Sequence, residues 1–174
     1  MATFDMTAKS TVGVDSDSLA ILPDVRNQSY LVEAILDITK LVAAGTFSAV
    51  TNGDIFQVLE IPAGTVVIAA GAEVLTVMSG TSVTVDIDFA AGDDIVDGGD
   101  TSSTGYLASG TNGGANEPSA TTYTHFQSTT DTIDVKFIAS SSDVTSGVLR
   151  VYAICCDLNG VADNATEVDR DQLG

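Results

Sequence analysis

The feature that most constrains this chain is a strict two-residue alternation of polar and apolar side chains. Every second residue of 82–89 is apolar, and residues 132–137 repeat the pattern. Side chains of a β-strand point alternately to its two faces, so this period predicts strands with one face in a core. Residues 54–61 and 147–157 are apolar on both faces, which is typical of central strands in a sandwich.

Turn-forming residues separate these runs and set the number of strands. Asn52-Gly53 precedes one run, the turn at 61–64 follows it, and Ser79-Gly80 precedes another. We predict an all-β chain that folds as an antiparallel, jelly-roll-like β-sandwich of about eight strands. The predicted strands are 30–39, 54–61, 65–69, 72–78, 82–89, 121–127, 131–139 and 147–157, with a further short strand as an option near Tyr106.

Residues 31–44 fit two kinds of secondary structure, and the local pattern does not decide between them. The stripe of a helix would consist of Leu31, Ile35, Ile38 and Val42. Gly45 would end such a helix. One face of a strand would consist of Tyr30, Val32, Ala34, Leu36 and Ile38.

The composition along the chain predicts three regions. An N-terminal arm covers residues 1–29, a β-sandwich domain covers 30–158, and a polar tail covers 159–174. Residues 90–120 are rich in Gly and Asp and carry little aliphatic bulk, so we expect a long loop inside the domain. The first residues lack a basic segment followed by an apolar one, so we expect no secretory signal and folding in a cytoplasm.

The charge balance excludes two classes of partner. The chain has 24 Asp and Glu against 6 Lys and Arg, a formal net charge of −18. A surface with this charge repels phosphate backbones and anionic lipids, so we predict neither nucleic-acid binding nor membrane binding. The hydrophobic fraction of 44% argues against a disordered chain.

Signatures of catalysis are absent from the sequence. His125 is the only histidine, and there is no nucleophile elbow, phosphate-binding loop or zinc-protease motif. Cys155 and Cys156 are adjacent and would point to opposite faces of a strand, so we expect two reduced thiols with at least one in the core. We therefore predict a protein that is not an enzyme and that needs no cofactor.

The Gly- and Asp-rich loop at 90–120 is the one segment that we consider as a metal-binding site. Hard cations bind several oxygen ligands on a bendable backbone. Ile95 falls where the usual calcium-loop spacing requires an oxygen donor, so we favour a solvated loop and assign no metal site. The weak candidate ligands are Asp93, Asp94, Asp97 and Asp100.

Several segments of the chain, taken in order, resemble those of a known class of proteins. The segments are Tyr30–Asp37, Gly53–Ala63, Glu73–Thr76, the acidic stretch 92–100, Thr104–Tyr106, Asp131–Val135 and Val148–Ala153. Together they resemble small virion structural proteins of tailed bacteriophages, especially marine and cyanobacterial ones, some of which are capsid decoration (cement) proteins with jelly-roll folds. The resemblance covers residues 30–158, and it implies that 30–39 is the first strand of the domain.

The resemblance also implies a function. Because the chain resembles decoration proteins, we expect it to bind and stabilise the outer capsid surface, with the major capsid protein as its partner. By the same analogy we expect a homo-oligomer, with a trimer favoured. We also expect assembly in the host cytoplasm. The alternatives are a head-fibre or tail-spike subunit, or a free β-sandwich module that binds a glycan or calcium.

The N-terminal arm is mainly polar apart from an apolar segment at 19–22, and we predict that this segment contacts a partner. Large apolar side chains in such an arm are exposed unless they pack on another surface. The candidate contact residues are Phe4, Leu19, Ile21 and Leu22.

Overall fold

The computed structural model describes residues 3–5, 14–15, 29–89, 95–108, 125–139 and 142–158. Within these ranges the chain forms eleven strands and one short helix, which confirms the predicted all-β class. The elements are β1 (Thr3–Asp5), β2 (Val14–Asp15), β3 (Ser29–Asp37), α1 (Ile38–Ala43), β4 (Ile55–Ile61), β5 (Thr65–Thr76), β6 (Val83–Phe89), β7 (Val96–Asp100), β8 (Gly105–Ala108), β9 (His125–Gln127), β10 (Asp131–Ala139) and β11 (Val148–Asp157).

The strands pair into two sheets that face each other. Sheet A has the order β1-β4-β10-β6-β7, and sheet B has the order β2-β3-β11-β5-β8, with β9 pairing with β5 as well. All these pairs are antiparallel except β1 with β4. From β3 to β6 the chain crosses from one sheet to the other at every step, as it does again from β10 to β11. This alternation between two packed sheets is the topology of a jelly roll.

The core lies between the sheets and follows the predicted alternation. Val83, Val85, Ile87 and Phe89 are buried in turn along β6. Phe56 of β4 and Phe137 of β10 are fully buried, with ring centroids 5.5 Å apart in an edge-on arrangement. Fully buried side chains from both sheets complete the core, among them Leu36, Val67, Ile133 and Leu149.

The ambiguous segment 31–44 contains both a strand and a helix. The strand ends at Asp37, two residues earlier than predicted, because the Asp37 side chain accepts a hydrogen bond from Lys40 N at 2.9 Å and caps the helix that follows. Gly45 has a φ of +73° and its amide donates to Val42 O at 3.0 Å. The glycine therefore ends the helix, as the helical reading of the sequence predicted.

The predicted break between 65–69 and 72–78 was wrong. Thr65–Thr76 is one continuous strand that passes through Gly71. A Cβ atom at Gly71 would lie 2.8 Å from the Tyr152 hydroxyl, so the glycine makes room for that ring. The predicted break falls at a place where the fold requires a close approach between two strands.

Two regions expected to be irregular contribute strands. β7 and β8 lie inside 90–120, where a loop with one optional strand near Tyr106 was predicted. In the N-terminal arm, β1 pairs with β4 and β2 pairs with β3, each at an outer edge of its sheet. These short pairings cover Ile55–Gln57 of β4 and Ile35 and Leu36 of β3, which blocks those edge positions from pairing with another chain. The predicted tail at 159–174 lies outside the described residues.

The core should depend on the Phe56–Phe137 contact. We expect Phe137→Ala to lower the free energy of unfolding by about 3–5 kcal/mol, because it removes a fully buried ring. Phe126→Ala, at a side chain that is 55% exposed, is the matched control and should change it by less than about 0.5 kcal/mol. Denaturant unfolding measures both, and equal losses would contradict the assigned core.

Candidate interaction surface

The two sheets differ in what their outward faces expose. Large hydrophobic side chains that are exposed within the described ranges all lie on strands of sheet B or directly after one. They are Leu31, Ile68, Leu75, Val77, Tyr106, Phe126, Ile154 and Leu158. In the part of this chain that the structure describes, the large exposed apolar side chains are thus concentrated on sheet B, although the net charge of the chain is −18.

Strand β11 forms the centre of this surface. Leu149, Val151, Ala153 and Cys155 point inward and are fully buried, so Arg150, Tyr152 and Ile154 point outward by the two-residue period. This explains why the sequence of β11 is apolar on both faces. One face belongs to the core and the other to the exposed surface of sheet B.

Aromatic rings stand at this centre and on the β5 side of it. Tyr152 packs over Gly71 of β5 and meets Tyr106 of β8 edge-on, with ring centroids 6.4 Å apart. Tyr106 and Phe126 are more than half exposed. Burial raises the pKa of Tyr152, and the neighbouring Tyr106 raises it further, so Tyr152 stays neutral over the physiological range.

A cluster of three charged side chains is set into the apolar surface. Arg150 of β11 forms ion pairs with Glu33 of β3, at 3.4 Å, and with Glu73 of β5. Burial lowers the pKa of Arg150, but the carboxylates of Glu73 and Glu33 more than offset this, and the pKa is raised above its usual value. The cluster has one cation and two carboxylates, so it carries a net charge of −1.

These groups surround a shallow hollow of about 200 Å³. Its lining consists of Leu31, Glu33, Tyr106, Arg150, Tyr152 and Ile154. Register explains how they meet: Ile154 pairs with Leu31, Tyr152 pairs with Glu33, and Tyr106 pairs with Glu73. The hollow thus has an apolar rim, aromatic rings on one side and an acidic wall.

The side of sheet A that faces away from the core carries three aspartates, Asp86, Asp88 and Asp134, which are largely buried. Asp134 of β10 pairs with Asp88 of β6, and Lys136 pairs with Asp86, whose carboxylate lies 3.3 Å from the Lys136 Nζ. Asp86 also accepts a hydrogen bond from Gly98 N at 3.0 Å. Asp86 is therefore held by a lysine and by a backbone amide.

The candidate metal ligands do not come together as a site in the described residues. Asp97 is exposed, and Asp100 accepts hydrogen bonds from Ser102 N and Oγ at 2.8 and 2.9 Å. Asp93 and Asp94 lie outside the described ranges. Where the structure describes the chain, no group of three or more His, Cys, Asp or Glu side chains is placed to hold a metal ion.

The remaining residues singled out by the sequence have structural settings. The His125 ring stacks on Phe89 at 4.7 Å, and its Nε2 lies 3.0 Å from Gln127 Oε1. Cys155 and Cys156 are free thiols, and burial raises the pKa of Cys155 to about 12. A thiol with this pKa is inert at neutral pH.

The candidate contacts of the N-terminal arm are only partly described. The backbone at Phe4 pairs with Phe56 of β4 through β1. Leu19, Ile21 and Leu22 lie outside the described residues. Among the described helices, none is long and apolar enough to cross a membrane.

Comparison with known proteins identifies the fold but no family. No protein-family model and no curated protein matches the chain. A chain from the capsid of Ralstonia phage GP4 superposes with a TM-score of 0.59 at 12% sequence identity, covering 90% of this chain and 98% of that one. A chain from the acidic stable capsid of Helicobacter pylori bacteriophage KHP30 reaches 0.43 at 18% identity, covering 75% and 90%, a score too low to establish a shared fold. The GP4 chain therefore shares the fold over nearly its whole length.

Sequence reasoning missed the surface of sheet B. The run around Ile154 was interpreted as part of a strand that is apolar on both faces, and the run around Leu31 as either a strand or a helix, and neither was assigned a face toward solvent. A usable signal was present in β11, where Arg150 interrupts an otherwise apolar strand at a position that alternation places opposite the core residue Leu149.

Asp134 on sheet A leads to a prediction about how the stability of the fold depends on pH. Burial raises the pKa of Asp134, a hydrogen bond from Thr132 lowers it, and the carboxylates of Asp131 and Asp88 raise it again. The folded state then binds more protons than the unfolded state just above the ordinary Asp pKa of 3.8, so stability falls as pH rises through this window. Asp134→Asn should therefore raise the melting temperature at pH 7.

The gain should shrink as the pH falls toward about 4, because the protonated aspartic acid is neutral like asparagine. Thermal unfolding of both proteins at several pH values measures the difference. A variant that is less stable than wild type at pH 7 would contradict the raised pKa.

Proposed function

We propose that this chain is a non-enzymatic virion structural protein that decorates the outer surface of a bacteriophage capsid. The observation that carries the proposal is the exposed apolar surface of sheet B, centred on Tyr106, Tyr152 and Ile154, in a chain with a net charge of −18. Apolar surface of this kind, rimmed by polar residues, is typical of a binding face between proteins.

The fold supports the same assignment. The GP4 capsid chain has the same jelly roll over nearly its whole length, and the sequence resembles decoration proteins in the strands of residues 30–158. Neither likeness carries over a contact residue. What they add is a class of protein in which a single small jelly roll works by binding a larger shell.

The distribution of charge fits a position on the outside of the shell. If sheet B faces the capsid, sheet A, whose outward side carries the largely buried Asp86, Asp88 and Asp134, lies away from it and from the packaged genome. The partner of sheet B is the major capsid protein. We expect the chain to act as a homo-oligomer, with a trimer on a threefold axis as the preferred state, after assembly in the host cytoplasm.

The N-terminal arm supplies a second contact in this proposal. The described parts of the arm, β1 and β2, pair with the outer edges of β4 and β3. We assign Phe4 and the apolar island of Leu19, Ile21 and Leu22 to contact with a neighbouring subunit or the shell.

A second candidate function is favoured by one observation. Tyr106, Tyr152 and Phe126 are aromatic side chains on one outward face, and such faces of β-sandwiches also bind sugars by stacking. A head-fibre or tail-spike subunit, or a free glycan-binding module, would use the same surface for a different ligand. Binding to capsid shells separates the two functions.

The surface of sheet B should be needed for shell binding. Ile154 and Leu31 are exposed cross-strand partners, and replacing both by Ser removes apolar area worth about 2 kcal/mol or more if it is buried on binding. We expect the double variant to bind undecorated shells at least about tenfold more weakly. Co-sedimentation with shells of the major capsid protein from the same genome measures this.

The control is Ile138→Ser, which removes a half-buried isoleucine from the outward face of sheet A and should leave shell binding within about twofold. Equal losses in both variants would contradict sheet B as the binding face. If the unmodified protein does not sediment with shells but binds a glycan array, the second function replaces the first.

The arm should matter for assembly more than for folding. Deleting residues 1–28 leaves β3 intact, so we expect the far-UV spectrum to stay that of a β protein. Shell binding or oligomerisation should weaken, since about 1.5–3 kcal/mol of burial is lost for each large apolar side chain that docks. Analytical ultracentrifugation and co-sedimentation test this, and unchanged values in both would remove the arm from the interface.

A further inference from the structure

The hollow on sheet B has an unequal distribution of charge. Glu73 contacts Arg150 closely and is less exposed, whereas Glu33 meets Arg150 only through a single contact of 3.4 Å and is 33% exposed. Glu33 lines the hollow and Glu73 does not. The arginine is therefore neutralised mainly from the β5 side, and the surplus negative charge of the cluster faces the hollow through Glu33.

The rest of the lining suits a positively charged side chain with a long apolar stem. The rings of Tyr106 and Tyr152 attract cations to their faces. Leu31 and Ile154 form an exposed aliphatic rim against which methylene groups can pack while the charged head reaches Glu33. The volume of about 200 Å³ is large enough for one such side chain.

We infer, on the basis of the proposed function, that this hollow receives a lysine or arginine side chain of the capsid shell, presented by a segment with apolar neighbours. The cation contacts Glu33 and the ring of Tyr106, and the flanking apolar residues cover Leu31 and Ile154. The partner segment is thus defined by its chemistry as basic and apolar, complementary to an acidic decoration protein.

A second copy of this chain fits the hollow less well. The chain has only 6 Lys and Arg, and the three within the described ranges are already in ion pairs: Lys40 with Asp37, Lys136 with Asp86, and Arg150 with its two glutamates. Two copies would also bring together two surfaces of net charge −18. Among the described residues of this chain, every Lys and Arg is already in an ion pair, so a different protein is the better source of the cation.

The test compares Glu33→Gln with wild type in co-sedimentation with shells of the major capsid protein from the same genome, at about 50 mM and about 300 mM NaCl. We expect the variant to bind about tenfold more weakly at low salt, and the difference to shrink at high salt, because salt screens an exposed ion pair. The matched control is Glu60→Gln, which removes an exposed carboxylate from sheet A and should stay within about twofold of wild type.

A second pair of variants tests the ring without changing a charge. Tyr106→Leu keeps the apolar area but loses the aromatic face, and should weaken binding several-fold, whereas Tyr106→Phe should bind like wild type. Unfolding curves establish that each variant is folded. If Glu33→Gln fails to fold, the Leu and Phe variants of Tyr106 decide the question.

Three outcomes overturn the inference. If Glu33→Gln and wild type bind shells equally and with equal salt dependence, the hollow does not receive a cation. The proposed decoration function would be unaffected by that result. Equal weakening by Glu60→Gln would show a general charge effect and not a site. A change in self-association of Glu33→Gln without shells would make a second copy the occupant. Failure of wild type to bind shells would instead refute the proposed function.

Discussion

The pairing of β11 with β3 on one side and β5 on the other is the constraint on which the rest of the molecule depends. This strand runs through the middle of sheet B, and its inward residues, such as Leu149 and Val151, are fully buried. Its outward residues Arg150 and Tyr152 form the centre of the candidate interaction surface. The same register therefore fixes the core and the surface, and a slip by one residue would exchange them.

The sequence predicted those parts of the fold that depend on neighbouring residues. Strands β6 and β10 were predicted to within one residue, because alternation and flanking turns both mark them. The change from strand to helix at Asp37 depends on a side-chain cap that competes with continued pairing, and the pattern fitted either outcome. The continuity of β5 through Gly71 depends on Tyr152, which is distant in sequence.

The candidate surface was harder to predict, because it also depends on residues that are distant in sequence. Glu33, Glu73 and Arg150 lie on three strands, and only the pairing of β3 and β5 with β11 brings them together. Each is an ordinary charged residue in the sequence. Charge, in contrast, was informative from the start: a chain with 24 acidic and 6 basic residues that still exposes apolar side chains on one face is suited to a partner that supplies basic and apolar groups.

A cryo-electron microscopy reconstruction of shells decorated with this protein tests the central claim most directly, because it shows which face meets the capsid. The account predicts that sheet B faces the shell, with Tyr106, Tyr152 and Ile154 within about 4 Å of capsid side chains. It also predicts that sheet A, which carries Asp88 and Asp134 on its outward side, faces solvent or neighbouring decoration subunits. A reconstruction in which sheet B is free of contacts and sheet A faces the shell would contradict it.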